Sequence, residues 1–198
     1  MMRWVAMVLT GFVLAGCQGS SAPAPRDHFY RISVPPPTTA SGTMLPGIVL
    51  VTRLDAEGVM RERPLTYSGG DGSLALQQYD YHFWIEPPTR LLQSQLADYL
   101  RKSGVAEAVV TPEMRVRPDF EVIGTIRRLE RLLDGDPPRV VAELELALVD
   151  RSGDRLRVIE TYAAEVQCTD DSVDAAVTAM NQAIGQIFGR FLADMRGA

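Results

Sequence analysis

Val140-Val141-Ala142-Glu143-Leu144-Glu145-Leu146-Ala147-Leu148 is the stretch from which the architecture can be read. Val140, Ala142, Leu144, Leu146 and Leu148 alternate with Val141, Glu143, Glu145 and Ala147, which predicts a strand with one dry face and one wet face. The flanking sequences Asp134-Gly135-Asp136-Pro137-Pro138 and Asp150-Arg151-Ser152-Gly153-Asp154 suit hairpin turns. Beyond them, Asp119–Glu130 carries Phe120, Val122, Gly124 and Ile126 on one face, and Leu156, Val158, Tyr162, Ala164 and Val166 continue the alternation. Three successive antiparallel strands are expected.

A sheet with one dry face has to be covered. The cover comes from the stretch after Asp170, where Val173, Ala176, Val177, Met180, Ala183, Ile184, Ile187, Phe188, Phe191, Leu192 and Met195 fall at helical spacing. Asp174, Asn181, Gln182, Gln186, Arg190 and Asp194 take the opposite side, and Asp170, Asp171 and Asp174 complement the positive end of the helix dipole. A second helix is predicted from Thr89 to Lys102. Pro87-Pro88 suits its entry, a stripe of Leu91, Leu92, Leu96, Tyr99 and Leu100 covers one face, and Gly104 stops it. Shorter strands are expected at His28–Val34, ended by Pro35-Pro36-Pro37, and at Ile48–Val51, Arg61–Tyr67, Leu74–Tyr79 and Val105–Val110. The cluster Ser68-Gly69-Gly70-Asp71-Gly72-Ser73 has no Lys-Ser/Thr and no following helix, so it reads as a turn rather than a phosphate loop. The sum is an α+β fold: an antiparallel-rich sheet covered by two helices, in a single compact domain from residue 28 to 198.

The N-terminus is of another kind. Arg3 is followed by eleven uncharged residues, Trp4 to Leu14, far fewer than the roughly 20 that span a bilayer. The pattern is that of an export signal. Leu14-Ala15-Gly16-Cys17 resembles the lipobox of bacterial lipoproteins. That resemblance implies removal of residues 1–16, diacylglycerol on the Cys17 thiol and usually a further acyl chain, such as palmitate, on the new amino terminus. Two or more chains hold a protein stably on a membrane. Gln18 to Asp27, rich in Ser, Ala and Pro, is a tether, so that 17–27 joins lipid to domain. Gln18 is not the aspartate that resembles an inner-membrane retention signal. In a Gram-negative host the periplasmic face of the outer membrane is therefore expected over the inner membrane.

Composition excludes several functions. Of 198 residues, 20 are Lys or Arg and 25 are Asp or Glu, a net charge of −5. Removing Arg3 with the leader makes the mature chain more acidic still. Nucleic acid is excluded as a partner, and an anionic membrane surface offers no electrostatic gain. With Cys17 acylated, Cys168 stands alone and no intramolecular disulfide is expected. His28 and His82 lack the spacing of a zinc site, and no G-x-S-x-G elbow occurs. Glu143 and Glu145 fit an exposed sheet face, and Asp134 and Asp136 fit a turn. No catalytic residue, metal or cofactor is expected apart from the covalent lipid on Cys17, and the protein is read as a non-enzyme.

Tyr79-Asp80-Tyr81-His82-Phe83-Trp84-Ile85-Glu86-Pro87-Pro88 concentrates the aromatic side chains of the middle of the chain. Trp84 favours the core. Tyr79 and Tyr81 are open between the core and an exposed apolar patch suited to a partner or an acyl chain. Tyr79, Tyr81 and Trp84 are the candidate contact residues, beside Cys17 as the site of lipid attachment.

These residues also carry a family likeness. Cys17, then Phe29-Tyr30-Arg31, Arg63-Pro64-Leu65-Thr66-Tyr67, Tyr79, Trp84-Ile85-Glu86-Pro87-Pro88 before a Leu-rich helix, and Ala175-Ala176-Val177-Thr178-Ala179-Met180-Asn181-Gln182-Ala183 near the end resemble the ABC-type transport auxiliary lipoproteins. Ile85 departs from the more usual alanine, and the loop before Ile48 is long. The resemblance implies a lipid-anchored periplasmic subunit that assists lipid transport, docking on an MCE (mammalian cell entry) domain protein with its permease and ATPase. Phospholipid contact and a homo-oligomer are compatible with it. The alternative is a structural or assembly lipoprotein of an outer-membrane machine that handles no lipid.

Overall fold

A computed structural model describes residues 24–37, 44–70 and 72–197; the leader, Cys17 and the first part of the tether lie outside them. The strands are β1 (His28–Tyr30), β2 (Leu45–Val51), β3 (Asp55–Ala56), β4 (Pro64–Ser68), β5 (Leu76–Trp84), β6 (Ala106–Val110), β7 (Phe120–Leu132), β8 (Arg139–Asp150) and β9 (Arg155–Gln167). The helices are α1 (Pro88–Ser103) and α2 (Val173–Gly197). Among the described residues no helix is long and apolar enough to cross a membrane.

β7 is the spine of the sheet. Along one edge it pairs antiparallel with β8, from Leu132 opposite Arg139 to Phe120 opposite Asp150, and β8 pairs antiparallel with β9. Along its other edge three short strands lie end to end, all parallel to it: β2 beside Phe120–Val122, β3 beside Thr125–Ile126 and β4 beside Glu130–Leu132. β6 extends the sheet beyond β2, while β5 and then β1 extend it beyond β4. The fold is α+β, with antiparallel pairing dominating in length and parallel pairings filling one flank.

Both helices cover the dry face. Phe188, Phe191, Ile184 and Ile187 of α2 are buried with Leu144, Leu146 and Leu148 of β8 and Leu92, Leu96 and Leu100 of α1. Burying each such side chain contributes roughly 1.5–3 kcal/mol. The rings of Tyr99 and Phe188 meet at 5.7 Å, joining the helices, and Tyr162 of β9 meets Phe191 edge-on at 5.9 Å. The Tyr162 hydroxyl donates to Asp194 Oδ2 at 2.6 Å. Burial, then that carboxylate, pushes its ionisation far above the usual phenol value. At the start of α2, Asp170 Oδ1 accepts the Ser172 N–H at 2.7 Å and Ser172 Oγ accepts the Ala175 N–H at 3.0 Å, which satisfies donors the helix cannot. Gly104 ends α1 in the left-handed conformation, φ 67°, as its position demands.

The structure departs from the sequence reading at several places, among them β5, which runs on to Trp84 instead of ending at Tyr79. The first strand stops at Tyr30. Beyond it Ile32 enters the core, the Ser33 N–H donates to Asn181 Oδ1 and the Val34 N–H donates to Gln95 Oε1, so this segment straps α2 to α1 instead of extending the sheet. A bulge between Ile126 and Arg128 inverts the alternation of β7, so Leu129 and Arg131 face the core although they are out of phase with Phe120. A shift between Leu148 and Val149 does the same to β9. Leu156 pairs with Val149 on the outer face, 54 % exposed, rather than joining the buried row.

Candidate functional site

The aromatic stretch occupies a distorted strand at the flank where the chain enters the domain. β4 and β5 pair regularly through Ser68–Leu76, Tyr67–Gln77 and Thr66–Gln78, and the next pair is Pro64–Phe83. Two residue steps of β4 therefore stand opposite five of β5, and Tyr79 to His82 bulge out of the ladder. Arg63 closes the bulge. Its carbonyl accepts the Trp84 N–H at 2.7 Å, and its Nε donates to the Trp84 carbonyl at 3.1 Å. β1 then lies parallel on β5, with His28, Phe29 and Tyr30 opposite His82, Phe83 and Trp84. Alternation assigns these six residues to two faces.

On one face the two histidines, distant in sequence, stack with ring centres 5.0 Å apart and 15° between planes. The Tyr30 hydroxyl and His82 Nδ1 share a hydrogen bond of 2.9 Å. Burial, then the neighbouring His28, lowers the pKa of His82 below its ordinary 6.5 against the opposing pull of Asp174. The Tyr30 phenol is pushed up to about 12 by burial and Asp174. Among the described residues no cluster of three or more ligating groups forms around this pair. The arrangement is a hydrogen-bonded stack.

Behind the bulge lies Arg131, buried from β7. Its Nη1 donates to the Tyr79 hydroxyl at 3.0 Å and its Nη2 to the Asp171 carbonyl at 2.8 Å, while Nε is buried without a partner. Tyr79 is half-buried, its ring 4.5 Å from Tyr67 and 5.5 Å from His82. Arg131, Tyr79, Trp84, Leu65, Val140 and Met180 line a cavity of about 20 Å³ beneath the first turns of α2. That is room for one water molecule and far too little for an acyl chain.

The candidate contact residues thus separate. Trp84, 3 % exposed, is part of the core; Tyr79 bridges core and surface; Tyr81, 43 % exposed, is outside. Cys17 lies outside the described residues. The opposite face of the β1–β5 pair carries Phe29 against Phe83, ring centres 5.8 Å apart, with the Arg63 guanidinium 5.4 Å from the centre of the Phe29 ring. Sequence reasoning quoted Phe29 and Arg63 but assigned them no role, because nothing local pairs β1 with β5. It missed Arg131 because the strand expected from the sequence ends at Glu130, while β7 runs on to Leu132. Cys168, just past β9, is buried; its thiol is pushed up by burial, and its N–H donates to the Pro138 carbonyl at 2.8 Å.

Comparison with known proteins gives a consistent family and fold. The family model of the ABC-type transport auxiliary lipoprotein component matches residues 30–190. No curated protein matches the chain in sequence. Among solved structures, protein XCC0632 from Xanthomonas campestris is similar at 21 % identity over 86 % of this chain and 96 % of that one, with a TM-score of 0.75. An uncharacterized protein is similar at 14 % identity over 86 % and 99 % of the two chains, with a TM-score of 0.67. Hypothetical protein CT253 from Chlamydia trachomatis is similar at 11 % identity over 77 % and 96 %, with a TM-score of 0.50. At these identities the likeness establishes the fold.

Proposed function

The chain belongs to the ABC-type transport auxiliary lipoprotein component family, and from that we propose that it is a non-enzymatic subunit of an MCE-type ABC system moving lipid across the cell envelope. The observation that carries the reading is the extent of the family match, which runs from the end of β1 to Arg190 in α2 and so takes in nearly the whole packed domain. The family is one of transport components rather than enzymes, and its name ties it to an ABC transporter and to a lipid-anchored place in the envelope. The finer assignments are ours. Cys17 carries the lipid, residues 1–16 are removed, 17–27 form the tether and the anchor sits in the periplasmic face of the outer membrane. The MCE-domain protein, with its permease and ATPase, is the partner, and phospholipid is the cargo.

The test is recovery of the tagged, full-length protein from cells in mild detergent, with mass spectrometry of the proteins and lipids that accompany it. The expected outcome is an MCE-domain protein with phospholipid, reduced when Cys17→Ala removes the anchor, and a mature N-terminus at acylated Cys17. Recovery of an outer-membrane assembly complex alone would replace this reading with that of an assembly lipoprotein. An unmodified Cys17 in the mature protein would remove the anchor.

A further inference from the structure

Two exposed apolar surfaces stand on opposite edges of the sheet. On β7–β9, Ile123 and Ile159 flank Ala147 in one cross-strand row, but the ion pairs Arg127–Glu145 and Arg151–Glu121 border them on both sides. On the β1–β5 edge, Phe29 is 55 % exposed and packs on Phe83; Tyr81 and Ile85, two positions before and two after Phe83 in the chain, are 43 % and 36 % exposed. This second surface is held stiffly. The Ile85 N–H donates to the Tyr30 carbonyl at 2.9 Å, and Arg63, bonded to the Trp84 carbonyl, lies over Phe29. It is an apolar ridge built on the Phe29–Phe83 pair, with the exposed Tyr81 and Ile85 near it in the chain and the Arg63 guanidinium over Phe29; among the described residues no further strand pairs beyond β1.

Its position in the chain identifies the occupant. β1 begins at His28, eleven residues after Cys17. Even fully extended, that connection reaches at most roughly 40 Å, about the diameter of a domain of this size. On the reading that Cys17 is acylated, this ridge is the part of the sheet tied most directly to the bilayer, and the tether keeps it at high effective concentration there. Aromatic side chains with arginine are the composition that settles at the boundary between headgroups and acyl chains. We propose that the ridge of Phe29, Tyr81, Phe83 and Ile85 docks in the surface of the membrane that holds the anchor, with Arg63 at headgroup level. The contact turns a single-point attachment into a fixed orientation. It presents the β7–β9 edge and its flank of α2 away from the lipid. Nearby charges are close to balance, Arg26, Arg31 and Arg63 against Asp27 and Asp80, so insertion is apolar and survives high salt.

The test supplies its own anchor. The mature chain, with hexahistidine in place of Cys17 and with Cys168→Ser, is held on vesicles of phosphatidylethanolamine and phosphatidylglycerol containing a nickel-chelating lipid. An environment-sensitive fluorophore is placed at Tyr81→Cys or, as the control, at Ile159→Cys. Emission at 81 should shift to the blue and brighten on the vesicles, in low and high salt, and emission at 159 should stay as in water. Phe29→Ser and Ile85→Ser, both at exposed positions, should each diminish the shift at 81 while circular dichroism is unchanged. A water-like signal at 81 from vesicle-bound protein, or an equal shift at 159, overturns the proposal. Acylation of Cys17 is read separately by mass, so loss of the anchor and loss of the ridge give different results.

Discussion

The two flanks of β7 are built by opposite rules. On one side β8 and β9 follow in order, each returning through a short turn and pairing along nearly its whole length, and α2 closes over them. On the other side β2, β3 and β4 share a single edge as fragments, β5 bulges, and β1 pairs parallel with a strand some fifty residues later. The regular flank supplies most of the core. The fragmented flank holds the stacked histidines and the exposed aromatic ridge, and its Tyr79 bonds to the buried Arg131 of β7. Irregular pairing is what allows neighbouring residues of one short strand to serve core, hydrogen-bond network and surface at once.

If the regular flank carries the stability, the largest effect comes from its centre. Phe188→Ala should destabilise the protein by about 3–5 kcal/mol, because Phe188 is fully buried between α2, the sheet and Tyr99; chemical denaturation followed by circular dichroism measures it. A smaller loss is expected from Gly124→Ala in β7. A Cβ there would lie 2.6 Å from Leu146 Cδ2 and 2.8 Å from the Glu145 carbonyl oxygen, and since the second atom belongs to the backbone the strand has to shift, costing about 1–3 kcal/mol by the same measurement.

The smallest effect sharpens the contrast by its pH dependence. His82 has a depressed pKa in the fold, so between that value and 6.5 the unfolded chain binds more protons than the native one. The stability it contributes is complete above about 6.5 and is lost as pH falls through the lowered native value. His28, Tyr30, Tyr79 and Asp174 are the groups around it. His82→Gln, which keeps a polar partner for Tyr30, should flatten this slope in midpoint-against-pH measurements and leave stability at neutral pH little changed. An unaltered slope would place the pH sensitivity elsewhere.

Legibility in the sequence follows the same division. Strands β7–β9, both helices, their turns and the dry face of β8 could be read because each depends on a period of two or 3.6 and on turn residues within a few positions. Trp84 could be assigned to the core for the same reason. Leu156 was misplaced by reading the period through a bulge, since one inserted residue inverts every side chain after it. The strap at Ser33 and Val34 looked like a strand because its residue types suit one, but its N–H groups bond to side chains of helices far along the chain.

By itself the sequence determined the α+β class, the meander and the two covering helices, all of them properties of local order. Only the tertiary structure decided that His28 would stack on His82, that Phe29 would pack on Phe83 beneath Arg63, and that Tyr81 would stand outside while Tyr79 bridges core and surface. Those placements come from a parallel pairing across a long connection and from the number of residues a bulge absorbs. Side-chain periodicity specifies neither, because both are settled by which backbone edges remain free once the core has closed.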